Sequence, residues 1–156
     1  MRKTLPLALM GLAMIGCGTA PEPRPQTKVV APPPKPVDET RRFQVTDQVS
    51  IELVNDKMLG KSFLPGGNLA QYKHGRKTYQ QFLVHGKSPE DAAVLMFDYK
   101  QTLRDAKFIA HMGGYFGFDG DQPVYLFAKK SVLAGIVGLP EKDADVVARQ
   151  FAAHLD

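Results

Sequence analysis

Histidine and cysteine are the side chains of this sequence best suited to metal binding or nucleophilic catalysis. The 156 residues include one cysteine, Cys17, which excludes an internal disulfide and any multi-cysteine metal centre. No two histidines are four residues apart and no HExxH motif occurs, so the usual helical zinc motifs are absent from the sequence. The histidines are His74, His85, His111 and His154. We predict no metal site and no cofactor.

One catalytic arrangement stays open, in which His85 and His111 converge with an acid such as Asp119 or Asp121. A histidine held by a carboxylate is a common general base in hydrolases. The sequence lacks the GxSxG, GxxxxGK[ST] and GxGxxG motifs that position a nucleophile or a phosphate. We therefore predict no catalytic residue, and keep a small hydrolase as an alternative function.

Two segments carry residues suited to binding. Residues 113–118 (GGYFGF) place Tyr115, Phe116 and Phe118 in a glycine-rich strand. They form either an exposed aromatic strip, which stacks on a sugar or an apolar ligand, or a strand whose glycines allow a bend or a close backbone approach. A predicted hairpin tip carries Lys73, Arg76 and Lys77, which suit lipid phosphates or an acidic partner.

The N-terminus has the pattern of a secretory signal. Arg2 and Lys3 precede an uncharged, largely apolar stretch at residues 5–15, which is shorter than the roughly 20 residues of a membrane span. Without those two residues the 20 basic residues fall to 18 against 16 acidic ones, a net charge of +2. Such a weak charge favours no nucleic-acid partner.

The end of this segment, Met14-Ile15-Gly16-Cys17, resembles the lipobox of bacterial lipoproteins, with Met14 where Leu is usual. The resemblance implies cleavage after residue 16, lipidation of Cys17 and attachment to the membrane through that lipid. Several acyl chains give stable anchoring, whereas one chain binds only marginally. Because Gly18 rather than Asp follows, the resemblance implies the outer membrane, with the domain facing the periplasm or, alternatively, the cell surface.

Residues 17–40 are predicted to be a linker between the lipid and the domain. Seven of the twelve prolines lie between Pro21 and Pro36, and no helical or strand periodicity is present. Such a segment favours extended polyproline II, which spans up to roughly 70 Å over this length. A docking role for the Pro-Pro-Pro-Lys-Pro stretch is the alternative.

Residues 41–156 are predicted to form a single domain. One amphipathic helix begins at Ser88-Pro89 and keeps its apolar spacing to Ala106, and a second runs from near Pro140 to Leu155. Six strand patterns occupy the rest, at residues 49–53, 69–74, 78–84, 115–118, 124–128 and 132–138. This order favours an α+β fold: a single antiparallel sheet of about five to six strands with both helices packed on one face.

The domain is loosely similar to small α+β lipoprotein domains of unknown function, through Ser-Pro-Glu-Asp-Ala at residues 88–92 and Ala-Lys-Lys at residues 128–130. That likeness implies no functional residue. We expect a membrane-tethered, non-enzymatic domain that binds an envelope protein or another envelope component on the sheet face left open by the helices. The alternatives are the small hydrolase, or a carrier of a small ligand lined by residues 113–118.

Overall fold

The computed structural model describes residues 31–32 and 34–156. The predicted signal, the lipobox with Cys17 and most of the predicted linker lie outside these residues. In the part of the chain that is described, no helix has the length and apolarity needed to cross a membrane.

The described chain folds as seven strands and two α-helices, with two short 3-10 turns at Thr40–Arg42 and Met58–Gly60. The strands are β1 (Gln48–Asp56), β2 (Pro65–His74), β3 (Lys77–His85), β4 (Arg104–Ile109), β5 (Gly114–Asp119), β6 (Gln122–Lys129) and β7 (Val132–Val137). The helices are α1 (Pro89–Thr102) and α2 (Glu141–Ala153). All strands join one antiparallel sheet in the order β1-β2-β3-β7-β6-β5-β4. The predicted α+β class with one antiparallel sheet and two helices is confirmed.

The strand missing from the sequence prediction is β4, whose first residues, 104–106, were assigned to the first helix. The helix ends at Thr102, and Leu103 already has extended backbone angles. Leu103 and Ala106 continue the three- and four-residue spacing of the helix, which is why the pattern extended too far. In the structure both pack against the core that α1 covers, although the backbone there is a strand with a register irregularity between Arg104 and Lys107.

The two helices cover opposite faces of the sheet, so the prediction of both on one face was wrong. Tyr125 and Phe127 of β6 share a core cluster with Phe151 of α2. The residues between and before them, Val124 and Leu126, pack in a second cluster with residues of α1. A strand that is apolar at every position is buried on both sides, and a sheet containing such strands needs a cover on each face.

The start of α1 agrees with the sequence. The Ser88 hydroxyl accepts a hydrogen bond from the Asp91 backbone N–H at 3.1 Å, and Pro89 occupies the first turn. A cap of this kind satisfies a backbone donor that the helix itself leaves unpaired. The predicted helix start at Ser88-Pro89 is confirmed.

The chain is fixed to the sheet just before the predicted domain boundary at residue 41. Asn68 of β2 is fully buried and accepts a hydrogen bond from the Glu39 backbone N–H at 2.8 Å. Its amide donates to Asp38 Oδ1 at 3.0 Å and to Thr40 Oγ1 at 3.2 Å. Residues 38–40, at the end of the predicted linker, are therefore held by the domain.

Candidate functional site

A cavity of about 370 Å³ lies on the α2 face, at the end of the sheet where β2 turns into β3. We call it the hairpin cavity. The chain before β1 forms one wall, the end of the β2–β3 hairpin the second, and α2 with the turn before it the third. Its lining residues are Gln44, Thr46, Asp47, His74, Lys77, Tyr79, Leu139, Asp143, Val146, Val147 and Gln150.

Two ion pairs border the cavity. His74 Nδ1 lies 2.7 Å from Asp47 Oδ2, and Lys77 Nζ lies 2.5 Å from Asp143 Oδ2. His74 and Lys77 are direct cross-strand partners, so their side chains leave the sheet on the same face. Asp47 is held by a hydrogen bond from the Lys73 backbone N–H to its carbonyl at 2.9 Å. Each pair joins the hairpin to a different wall.

Two stacked tyrosines support the cavity from the sheet. The rings of Tyr72 and Tyr79 lie 5.2 Å apart and 11° from parallel. The Tyr72 hydroxyl donates to the Gln44 carbonyl at 2.8 Å, which fixes the chain before β1. Burial raises the pKa of both tyrosines, so both hydroxyls stay neutral at physiological pH.

Besides Asp143 and Gln150, the third wall carries an apolar patch formed by Leu139, Val146 and Val147, which we call the apolar wall. Charges of both signs at the border beside an apolar wall suit a ligand or a protein segment that carries polar groups on an apolar body. His74 contacts Asp47 rather than a hydroxyl or thiol, so this histidine is not paired with a nucleophile. The geometry supports binding.

The three basic residues predicted at the hairpin tip do not form one cluster. Lys77 lines the hairpin cavity on the α2 face. Lys73 pairs across the hairpin with Thr78, one position away from the His74–Lys77 pair, so it faces the α1 side. Arg76 is exposed in the turn between them.

The three predicted aromatic residues do not form one exposed strip, because successive side chains of a strand point to opposite faces. Phe116 is 7% exposed and belongs to the core under α2. Tyr115 faces the α1 side beside Phe108, with ring centroids 5.5 Å apart. Phe118 lies against Phe116 at 5.6 Å, with the Arg104 guanidinium 5.5 Å from its ring centroid.

The two histidines of the alternative hydrolase each contact a different acid from those named for it. His85 Nε2 lies 3.2 Å from Glu39 Oε1, and His111 Nε2 lies 2.5 Å from Asp145 Oδ1. Asp119 instead contacts Lys61 at 2.5 Å. The described contacts bring neither histidine to Asp119 or Asp121, and neither histidine lines the hairpin cavity.

Asp145 is the centre of the His111 contact. It also accepts a hydrogen bond from the Tyr125 hydroxyl at 2.7 Å and lies 3.1 Å from Arg149 Nε. Burial acts to raise the pKa of Asp145, but the hydrogen bonds from Tyr125 and His111 and the positive charges of His111 and Arg149 outweigh it and lower that pKa. The group is an ionised carboxylate that ties α2 to the sheet.

The sequence analysis did not identify the two acids of the hairpin cavity, Asp143 and Asp47. Asp143 reads as an ordinary acid in the first turn of a helix, and Asp47 as an ordinary turn residue. Their partners lie 66 and 27 residues away along the chain, and no local motif encodes such a contact. Among the residues that the structure describes, no group of three or more His, Cys, Asp or Glu side chains is placed to hold a metal ion.

The comparisons with known proteins found little. No family model matches the chain, and no curated protein matches it. The crystal structure of a GTP binding regulator from Thermotoga maritima is similar in fold, with a TM-score of 0.54 over 74% of this chain and 82% of that chain. The sequences are 9% identical over this match, so the likeness shows a shared arrangement of strands and helices and assigns no activity to this chain.

Proposed function

We propose that this chain is an outer-membrane lipoprotein, anchored by lipid on Cys17, whose domain faces the periplasm and binds an envelope protein without catalysis. The lipobox-like Met14-Ile15-Gly16-Cys17 and the following Gly18 support the anchor and the choice of membrane. The proline-rich stretch that follows supports a spacer between the lipid and the domain.

The observation that carries the binding role is the hairpin cavity, in which two ion pairs face an apolar wall. Lys77 and Asp143 have side chains 58% and 43% exposed, so an incoming charged group exchanges with this pair at little cost in protein stability. The apolar wall includes Val146, which is 47% exposed and available for contact with a partner. Charge and apolar area together give a partner both specificity and affinity.

The anchor is tested by mass spectrometry of the mature N-terminus and by fractionation of cells that express the full chain. We expect an acylated Cys17 at the N-terminus and recovery of the protein in the outer-membrane fraction. Cys17→Ala should leave the signal uncleaved at this site and remove the lipid. An unmodified protein that still begins at Met1 would refute the anchor.

Binding is tested in cells by placing a photo-crosslinking amino acid at Val146. The matched control is Val94 of α1, which is 55% exposed on the opposite side of the sheet. We expect a discrete adduct from position 146 alone, and its loss when Lys77→Ala is added. Equal adducts from both positions, or an adduct that Lys77→Ala leaves unchanged, would contradict a partner at the hairpin cavity.

A carrier of a small ligand is the second candidate, and it is favoured by the volume of the same cavity. About 370 Å³ falls within the range of small-molecule sites, which is roughly 300–1,000 Å³. Native mass spectrometry of the full chain released from membranes distinguishes the two candidates. A bound small molecule that is lost in Lys77→Ala supports the carrier, whereas a protein adduct at position 146 supports the partner.

A further inference from the structure

A second cavity, of about 460 Å³, lies at the same end of the sheet but on the α1 face. Three glutamines reach it from three strands: Gln71 of β2, Gln80 of β3 and Gln122 of β6. The remaining lining residues are Thr78, Tyr79, Val137 and Gly138. We call this the glutamine cavity.

The sheet register explains why the glutamines converge. Gln71 and Gln80 are direct cross-strand partners, and Gln80 in turn pairs with Val137 of β7. Side chains in such a row share one face of the sheet. Gln122 enters from the first position of β6, where its Oε1 would lie 3.7 Å from a Cβ built on Gly138. Gly138 has φ of +101°, and its missing side chain keeps this side of the cavity open.

The chemistry of the lining is neutral and polar. No charged side chain lines the cavity, and in the described part of the chain no hydrogen bond holds the amide of Gln71, Gln80 or Gln122. Each carboxamide offers two N–H donors and a carbonyl acceptor side by side. A hydroxyl group both donates and accepts, so it matches a carboxamide better than an anion or a cation does. Val137 adds an apolar surface for the carbon skeleton of the ligand.

We propose that the glutamine cavity binds a neutral saccharide. This goes beyond the proposed function, because it assigns a separate site on the other face of the sheet. Three amides from one face of the sheet, two on the neighbouring strands β2 and β3 and one on β6, can bind several hydroxyls at once, and an uncharged ligand leaves no charge without a partner in the cavity.

The test is titration of the full chain with two neutral probes, an N-acetylglucosamine tetrasaccharide and maltotetraose, followed by ¹H–¹⁵N NMR. We expect the side-chain NH₂ signals of Gln71, Gln80 and Gln122 to shift together with at least one probe. Their relative response shows whether an acetamido group is required. Absence of a shift at all three glutamines with both probes would overturn the proposal.

Substitutions of Gln80 test whether the saccharide binds at the glutamine cavity. Gln80→Ala should weaken binding about three- to tenfold, the effect of losing one or two neutral hydrogen bonds. Gln80→Glu preserves the shape but replaces the donor by a charge, and should weaken binding at least as much. Gln101→Ala, on the exposed surface of α1, is the matched control and should bind like the parent. Parent-like binding by both Gln80 variants would also overturn the proposal.

Discussion

At the scale of single residues, the buried side chain of Asn68 contributes to the stability of the fold through its hydrogen bonds. Its amide makes three hydrogen bonds to residues 38–40, and its own exposure is 0%. Beside it, the Glu39 carboxylate accepts a hydrogen bond from Arg42 Nε at 2.8 Å and contacts His85. A buried group that loses its partner keeps the cost of desolvation without the compensating bond.

Asn68→Ala should therefore lower the free energy of unfolding by about 1–3 kcal/mol, because it leaves the Glu39 backbone N–H unpaired. Urea denaturation monitored by circular dichroism measures the change. Asn55→Ala, on the exposed edge of β1, serves as the control and should change stability by less than about 0.5 kcal/mol. Equal effects of the two variants would show that the Asn68 contacts add nothing.

Asp145 gives a prediction about pH. Because its pKa is lowered in the folded protein, its charge stabilises the fold above the ordinary pKa of an aspartate and stops doing so as the pH falls through the folded value. Asp145→Asn keeps an acceptor for the Tyr125 hydroxyl but removes the charge. We expect this variant to be less stable than the parent by roughly 1 kcal/mol at pH 7, and the difference to shrink at about pH 3. A difference independent of pH would refute the role of the charge.

The contacts of His85 and His111 could not be predicted from the sequence. His85 and His111 were named only as candidates for the alternative hydrolase, with acids that they do not contact in the structure. Their partners Glu39 and Asp145 were not identifiable, because they lie 46 and 34 residues away and become neighbours only when the sheet forms. Of the acids named for that alternative, Asp119 ends β5 and Asp121 lies in the turn to β6, where Asp is common for local reasons.

At the scale of the secondary-structure element, Gly135 determines how closely β7 packs against its neighbours. It lies in the middle of β7, where a side chain would meet the buried ring of Phe82 and would lie 2.8 Å from the Tyr125 carbonyl. The ring of Phe82 is 0% exposed and packed in the core under α1. The glycine in this apolar strand is therefore a packing requirement: the ring occupies the place where a side chain would be.

Gly135→Ala should destabilise the protein by about 1–3 kcal/mol, the usual cost of overpacking a core. Gly135→Ser, which adds a further atom and a polar group, should be less stable still. Thermal unfolding of the two variants beside the parent provides the measurement. If both variants melt with the parent, the space beside Phe82 is larger than the structure shows.

The elements themselves were partly predictable. The start of α1 carries local signals in Ser88 and Pro89, which cap and initiate the helix. The end of α1 carries no such signal, and apolar spacing that is compatible with both a helix and a strand hid β4. The apolar runs of β6 and β7 indicate that both faces of the sheet are covered. Assigning each helix to a face requires contacts between distant segments, which the sequence pattern does not give.

At the scale of the whole molecule, the order of the elements favoured an α+β fold with one antiparallel sheet, and this was correct.

The residue at which the folded domain begins is tested by shortening the chain from its N-terminus. A chain that begins at Val37 should be as stable as the full chain, whereas one that begins at Arg41 should lose about 1–3 kcal/mol, because it lacks the partners of Asn68. Urea denaturation of the two shortened chains checks this, and equal stability would place the start of the domain after residue 40.

The point where the chain joins the sheet also sets a direction. Asn68 lies six residues from His74 along β2, a separation of about 20 Å, and the hairpin cavity is at the His74 end. The hairpin cavity therefore lies at the opposite end of β2 from the residues that Asn68 holds, whereas the glutamine cavity begins at Gln71, halfway along the strand. A tether that continues the chain before residue 38 would leave the hairpin cavity accessible to a partner.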